Sequence, residues 1–102
     1  MILVQLFLPL FDNQGNQFSK EDFSEVRKCL LDKFGGLTIY RRNAATGLWK
    51  DSAGEVDTDE VIIFEVMTKS MNRKWWKRYR PQLEEKFQQE EILIRFSVFE
   101  KL

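Results

Sequence analysis

Histidine is missing from the chain altogether, and its absence removes more chemistry than any motif present supplies. Without it there are no imidazole general bases, no Ser–His or Cys–His nucleophile pairs and no histidine-ligated haem or zinc. Cysteine occurs once, at Cys29. One thiol closes no internal disulfide and builds neither a structural zinc site nor an iron–sulfur cluster, and it fits a reducing compartment. Cys29 falls beside an apolar helical stripe with no activating partner in view, so it reads as a packing residue. The adjacent Gly35-Gly36 belongs to no Gly-x-Gly-x-x-Gly or P-loop pattern. No metal and no cofactor is expected.

Net charge is missing too. Sixteen basic residues balance sixteen acidic ones, so the whole molecule has no electrostatic bias toward nucleic acid or acidic membranes. That neutrality also leaves self-association unopposed. The apolar start, MILVQLFLPLF, lacks a basic segment before it, is interrupted by Gln5 and Pro9, and is too short to span a bilayer. The expectation is a cytoplasmic protein, with no membrane partner, whose first strand begins almost at once.

At 102 residues, with 43% apolar and 31% charged residues, the chain can bury a core without disulfides or metals. No linker, repeat or low-complexity segment divides it, so residues 1–102 are read as one domain. The most apolar stretch, Val61-Ile62-Ile63-Phe64-Glu65-Val66-Met67, predicts a central strand interrupted by one carboxylate. Ile2 to Leu8 alternate as another strand, followed by a loop at Asp12-Asn13-Gln14-Gly15-Asn16. Ser19 as N-cap, Asp22 three residues on, and a Phe18/Phe23 staple mark a helix start. That helix carries Phe23, Val26, Leu30 and Phe34 on one stripe and ends at Gly35-Gly36.

Leu37 to Arg42 predicts a short strand. The long connection after it holds Leu48-Trp49-Lys50 and Glu55-Val56 around Asp51-Ser52-Ala53-Gly54, which reads as a small accessory hairpin. A second helix begins near Ser70 or Asn72 with Trp76, Tyr79, Leu83 and Phe87 as its stripe, and Pro81 is expected to kink or split it near Arg80. Ile92 to Glu100 alternate as the last strand.

The order β-α-β-β-α-β predicts an α+β, ferredoxin-like sandwich. Right-handed crossovers place strands one and three at the centre of a four-stranded antiparallel sheet, with two helices on one face and the accessory hairpin between strands 2 and 3. The helix-facing set is then Ile2, Val4, Leu6, Leu8, Leu37, Ile39, Ile62, Phe64, Val66, Ile92, Ile94, Phe96 and Val98, apolar throughout. The opposite face carries Leu3, Gln5, Phe7, Tyr40, Arg42, Val61, Ile63, Glu65, Met67, Leu93, Arg95, Ser97 and Phe99. That mixture is too apolar for a fully solvated face and too polar for a core, and such a patch marks an interface or a ligand surface. Leu3, Phe7, Ile63, Met67, Leu93 and Phe99, with Trp49 of the hairpin, are the candidate interface, and a sheet-to-sheet homodimer is the preferred reading. The competing reading folds the Trp49 hairpin over this face.

Gln5, Glu65 and Arg95 are expected on neighbouring strands of the open face, with Tyr40 across from Glu65. They are the candidate ligand-binding residues: a carboxylate beside Arg95 stays ionised and orients a small polar molecule. A cross-strand ion pair that merely sets the register explains the same residues more simply.

From Lys69 to Arg80 there is no acidic residue, and cations interleave with aromatics. Arg73, Lys74, Lys77 and Arg78 are therefore candidate anion-binding residues. Helical spacing assigns Trp76 and Tyr79 to the core, leaving Trp75 as the aromatic expected to be exposed or to reach an interface. Arg73 and Lys74 fall in the first helical turn, where the helix dipole disfavours cations. A bound phosphate or carboxylate would relieve this, and Asp57, Asp59 and Glu60 of the same chain would do so more cheaply, without a partner. The central strand lacks the basic-Gly-aromatic pattern of an RNA-recognition module, so nucleic acid ranks low.

The run FGGLTIYRRNAATGLWKDSAGEVDTDEVIIFEVM resembles stretches of small bacterial proteins of unassigned function with a ferredoxin-like or dimeric α/β-barrel fold. The resemblance covers about the middle third and implies a fold and a bacterial, cytoplasmic setting, but no activity. Enzymes of the dimeric α/β-barrel group share the topology alone, which does not transfer function, and the missing histidine excludes the haem-binding members.

Three functional readings follow in order. The first is a cofactor-free homodimeric binding module using the open sheet face. The second is a small-molecule enzyme or binding protein with a polar cleft around Glu65, Arg95 and Tyr40. The third is an anion or nucleic-acid binder using the second helix. Whether the chain is an enzyme is left open at this point.

Overall fold

Alternation in Ile2–Pro9 buries Val4, Leu6 and Leu8 completely, and this strand, β1, is the spine of the sheet. The computed structural model describes residues 1–50 and 56–102, and from residue 41 to residue 59 the backbone pairing alone. After β1 come helix α1 (Lys20–Phe34), strands β2 (Thr38–Lys50) and β3 (Val56–Thr68), helix α2 (Arg73–Lys86) and strand β4 (Ile94–Val98). The sheet is antiparallel with order β2-β3-β1-β4, so strands one and three are central. This is the expected ferredoxin-like arrangement.

Local signals set both helices. Ser19 Oγ accepts from the Asp22 amide at 3.3 Å, and Gly35 closes α1 in the left-handed conformation at φ 78°. A side chain at Gly35 is strained there although space is free around it, which is why glycine ends this helix. Asn72 caps α2 by accepting from the Trp75 amide at 3.1 Å. The helix then runs through Pro81 and is not split there, so of the two expected outcomes the break does not occur. Pro81 lies on the exposed side, where a carbonyl left without its intrahelical donor can bond water.

Phe23, Val26 and Leu30 of α1 and Trp76, Tyr79 and Leu83 of α2 pack onto Val4, Leu6, Leu8, Ile62, Phe64 and Val66 of the sheet. Phe87 joins the staple, with its ring 5.2 Å from both Phe18 and Phe23. Lys86 pairs with Glu25 between the helices, and Glu84 accepts from the Ile92 amide at 3.0 Å, fixing the approach to β4.

Three strand expectations need correction. The accessory hairpin is not a separate unit. Its arms are the far halves of β2 and β3, paired from Ala45↔Val61 to Lys50↔Val56 after an irregularity between Tyr40 and Ala45. Polar residues broke the apparent pattern there, yet a ladder is made by the backbone and needs no apolar alternation. The turn expected at Asp51-Ser52-Ala53-Gly54 lies outside the described residues, as do the side chains of Trp49 and Arg42. Finally, β4 is shorter than expected, and Phe96 and Val98 are not core: they are 40% and 77% exposed. As the edge strand, β4 runs out from under the helices.

Candidate functional site: a polar row across the open sheet face

A polar row crosses the face opposite the helices, with one member drawn from each strand. Gln5 of β1 is paired directly with Glu65 of β3 on one side and Arg95 of β4 on the other. Arg95 Nε donates to Gln5 Oε1 at 2.8 Å, and Gln5 Nε2 donates to Glu65 Oε1 at 2.5 Å. Tyr40 Oη donates to Glu65 Oε2 at 3.1 Å. The four candidate ligand residues are thus joined into one row, Arg95–Gln5–Glu65–Tyr40.

Two details differ from the sequence reading. Glu65 and Arg95 form no direct ion pair, because β1 lies between their strands and Gln5 bridges them. The amide suits that position, offering its oxygen to the cation and its nitrogen to the carboxylate. Tyr40 is not opposite Glu65. Thr38 takes that place, while Tyr40 is paired with Ile63 and reaches Glu65 diagonally. The Glu65 carboxylate raises the Tyr40 hydroxyl above its ordinary pKa, first by accepting its hydrogen bond and then by its charge.

Apolar groups flank the row. Leu3, Phe7, Ile63 and Phe99 are half-buried, and Met67 and Leu93 are 52% and 51% exposed. The Arg95 guanidinium stands 4.9 Å from the Phe7 ring centroid, a cation–π contact that holds it over the face. Beside Glu65, a cleft of about 350 Å³ opens toward the end of α1, lined by Leu3, Gly35, Gly36, Thr38 and Met67 among others.

The basic stretch is rearranged by its packing. Trp75, expected outside, is half-buried between the helices, with its ring centroid 5.5 Å from Phe34 and 4.8 Å from Tyr79. Lys33 lies over its ring. Burial, with a smaller contribution from Cys29 alongside, raises the Tyr79 hydroxyl far above its ordinary pKa. These aromatics are engaged in packing and are not stacking platforms. The cations also divide. Arg78 lies with Cys29, Trp75, Tyr79 and Gln82 on the α1 side, and Lys74 is exposed. Arg73 and Lys77 line a groove between α2 and β4 with Arg80, which was not singled out from the sequence. The spacing 73, 77, 80 was the available signal.

Comparison with known proteins bears on the fold alone. No family model matches the chain and no curated protein is significantly similar to it. Among solved structures it resembles a phage SAM lyase in complex with S-methyl-5'-thioadenosine: TM-score 0.64, 13% identity, 94% of this chain and 79% of that one. It also resembles CutA from Pyrococcus horikoshii: TM-score 0.59, 14% identity, 100% of this chain and 87% of that one. A substituted CutA1 from the OT3 strain matches at TM-score 0.58 and 17% identity over 100% and 86%. At such identities the chain shares their ferredoxin-like α+β fold, and function does not follow from that likeness.

Proposed function

We propose that this domain is a self-associating, cofactor-free binding module whose open sheet face is buried against another copy. One observation carries the reading: the polar row is bonded within itself and flanked by apolar side chains that no helix covers. Burying a face is costly when its polar groups lose water without gaining partners. Here Arg95 and Glu65 cancel in charge and Gln5 bonds to each, so the cost is reduced while Met67, Leu93 and Phe7 supply apolar area. The 16 to 16 charge balance adds no repulsion between copies.

The test is solution mass by light scattering over a dilution series, repeated with Phe7→Glu. The new carboxylate lies beneath Arg95, so the monomer tolerates it while the face loses its apolar centre. Dissociation of the variant supports the reading, and a wild-type monomer at every concentration overturns it.

The cleft beside Glu65 favours a second reading, small-molecule binding, because its 350 Å³ reaches the size of ligand pockets, about 300–1,000 Å³. S-methyl-5'-thioadenosine, present in the phage lyase complex, is the first probe. Calorimetry with wild type and Glu65→Gln tests it, and heat that is unchanged by the substitution counts against a role for the carboxylate.

A further inference from the structure

The acidic cluster expected to neutralise the start of α2 is at the wrong end of the sheet to do so within one chain. Arg73 lies over Phe96, 5.3 Å from its ring centroid, and Phe96 is level across the sheet with Val4 and Val66. Asp59 precedes Val66 by seven positions along β3, about 23 Å of strand, and Asp57 is farther still. No side chain spans that gap. Among the described residues, Arg73 and Lys77 form no ion pair, and the first turn of α2 holds no acid.

Each end also has an unfilled strand edge. Among the described residues β4 pairs only with β1, which leaves its outer edge without a strand beside a groove floored by Met71, Trp76, Ile94 and Phe96 and rimmed by Arg73, Lys77 and Arg80. At the other end, β1 pairs with β3 only from Val61 onward, extended by the Leu10 amide donating to the Glu60 carbonyl at 3.0 Å. Val56–Asp59 therefore have β2 on one side and, among the described residues, no strand on the other. A two-stranded ribbon projecting alone is marginal in water, and free edges invite pairing.

We infer that the β2–β3 ribbon of one copy adds its Val56–Asp59 edge to β4 of another, with Asp57 and Asp59 meeting Arg73 and Lys77. The spacings agree. Alternate strand positions such as 57 and 59 are about 6.6 Å apart, and one helical turn from Arg73 to Lys77 rises about 6 Å. The groove runs about 10 Å from Arg73 to Arg80, beside about 13 Å of β4. Backbone hydrogen bonds hold the added strand while the charges select it, as in strand-addition recognition generally. The contact is reciprocal in a two-fold pair or head to tail in a ring. It rests on the self-association reading but uses a different surface from the open face.

Charge reversal and charge swap test it, read as solution mass at fixed low salt. Arg73→Glu with Lys77→Glu is expected to lower association at least tenfold, as is Asp57→Lys with Asp59→Lys. Acids in the first turns of α2 suit the helix dipole, so the first variant remains folded, which circular dichroism checks. All four substitutions in one chain restore complementarity and are expected to restore the assembly. An assembly untouched by either pair overturns the inference, and so does a fourfold variant no better than the pairs. If Phe7→Glu dissociates the protein while the reversals do not, the open-face reading stands and this one fails. The opposite pattern supports this contact and removes the open-face reading. A wild-type monomer overturns both.

Discussion

Gln5 donates its amide nitrogen to Glu65 Oε1 at 2.5 Å from the directly opposed position on the neighbouring strand. Its oxygen meanwhile accepts from Arg95, so a neutral side chain on the central strand separates two opposite charges and bonds to each. This row crosses all four strands, and its integrity can be read from its far end.

Tyr40 reports on Glu65. The chain has two tyrosines, and Tyr79 titrates far above the ordinary range, so the first phenolate to form on raising the pH belongs to Tyr40. In Glu65→Gln the ionised acceptor is gone, and the Tyr40 midpoint is expected to fall toward the ordinary value of about 10. Ultraviolet titration of wild type against the variant measures it. An unchanged midpoint means that the hydrogen bond does not persist in solution.

Tyr79 sets an alkaline limit on stability. Its folded pKa is raised, chiefly by burial, so above about pH 10 the unfolded chain loses a proton that the folded chain keeps. The folded state then holds more protons, and linkage makes unfolding easier as the pH rises. Tyr79→Phe removes this dependence. Denaturant midpoints from pH 9 to 11 are expected to decline more steeply in wild type than in the variant.

Core and edge differ in cost although both alternate alike in sequence. Leu6 is fully buried, and Leu6→Ala is expected to cost about 2–5 kcal/mol by lost transfer energy and a residual cavity. Val98, 77% exposed, tolerates Val98→Thr within about 0.5 kcal/mol. Equilibrium unfolding in urea compares them, and a large cost at Val98 shows that its surface is covered in solution.

Much of this architecture was legible locally. Ser19, Phe23 and Gly35 announce α1, and Val4, Leu6, Leu8, Ile62, Phe64 and Val66 declare their face by alternation, because caps and pleats act within a few residues. That one face held Gln5, Glu65 and Arg95 together followed from the same alternation. The length of β2 and β3 did not, because their outer halves are held by cross-strand backbone bonds with few apolar markers. Nor did the exposure of Phe96, since alternation assigns a face without saying whether a helix reaches it.

By itself, then, the sequence determined the order of elements, the two faces of the sheet and the chemistry excluded by a chain without histidine. These are properties of neighbouring residues and of composition. Only the tertiary structure decided that Gln5 stands between Glu65 and Arg95, that Trp75 is packed between helices, and that Asp57 and Asp59 lie a strand's length from Arg73. Each depends on which segments lie side by side, a matter of register and distance between residues far apart in the chain.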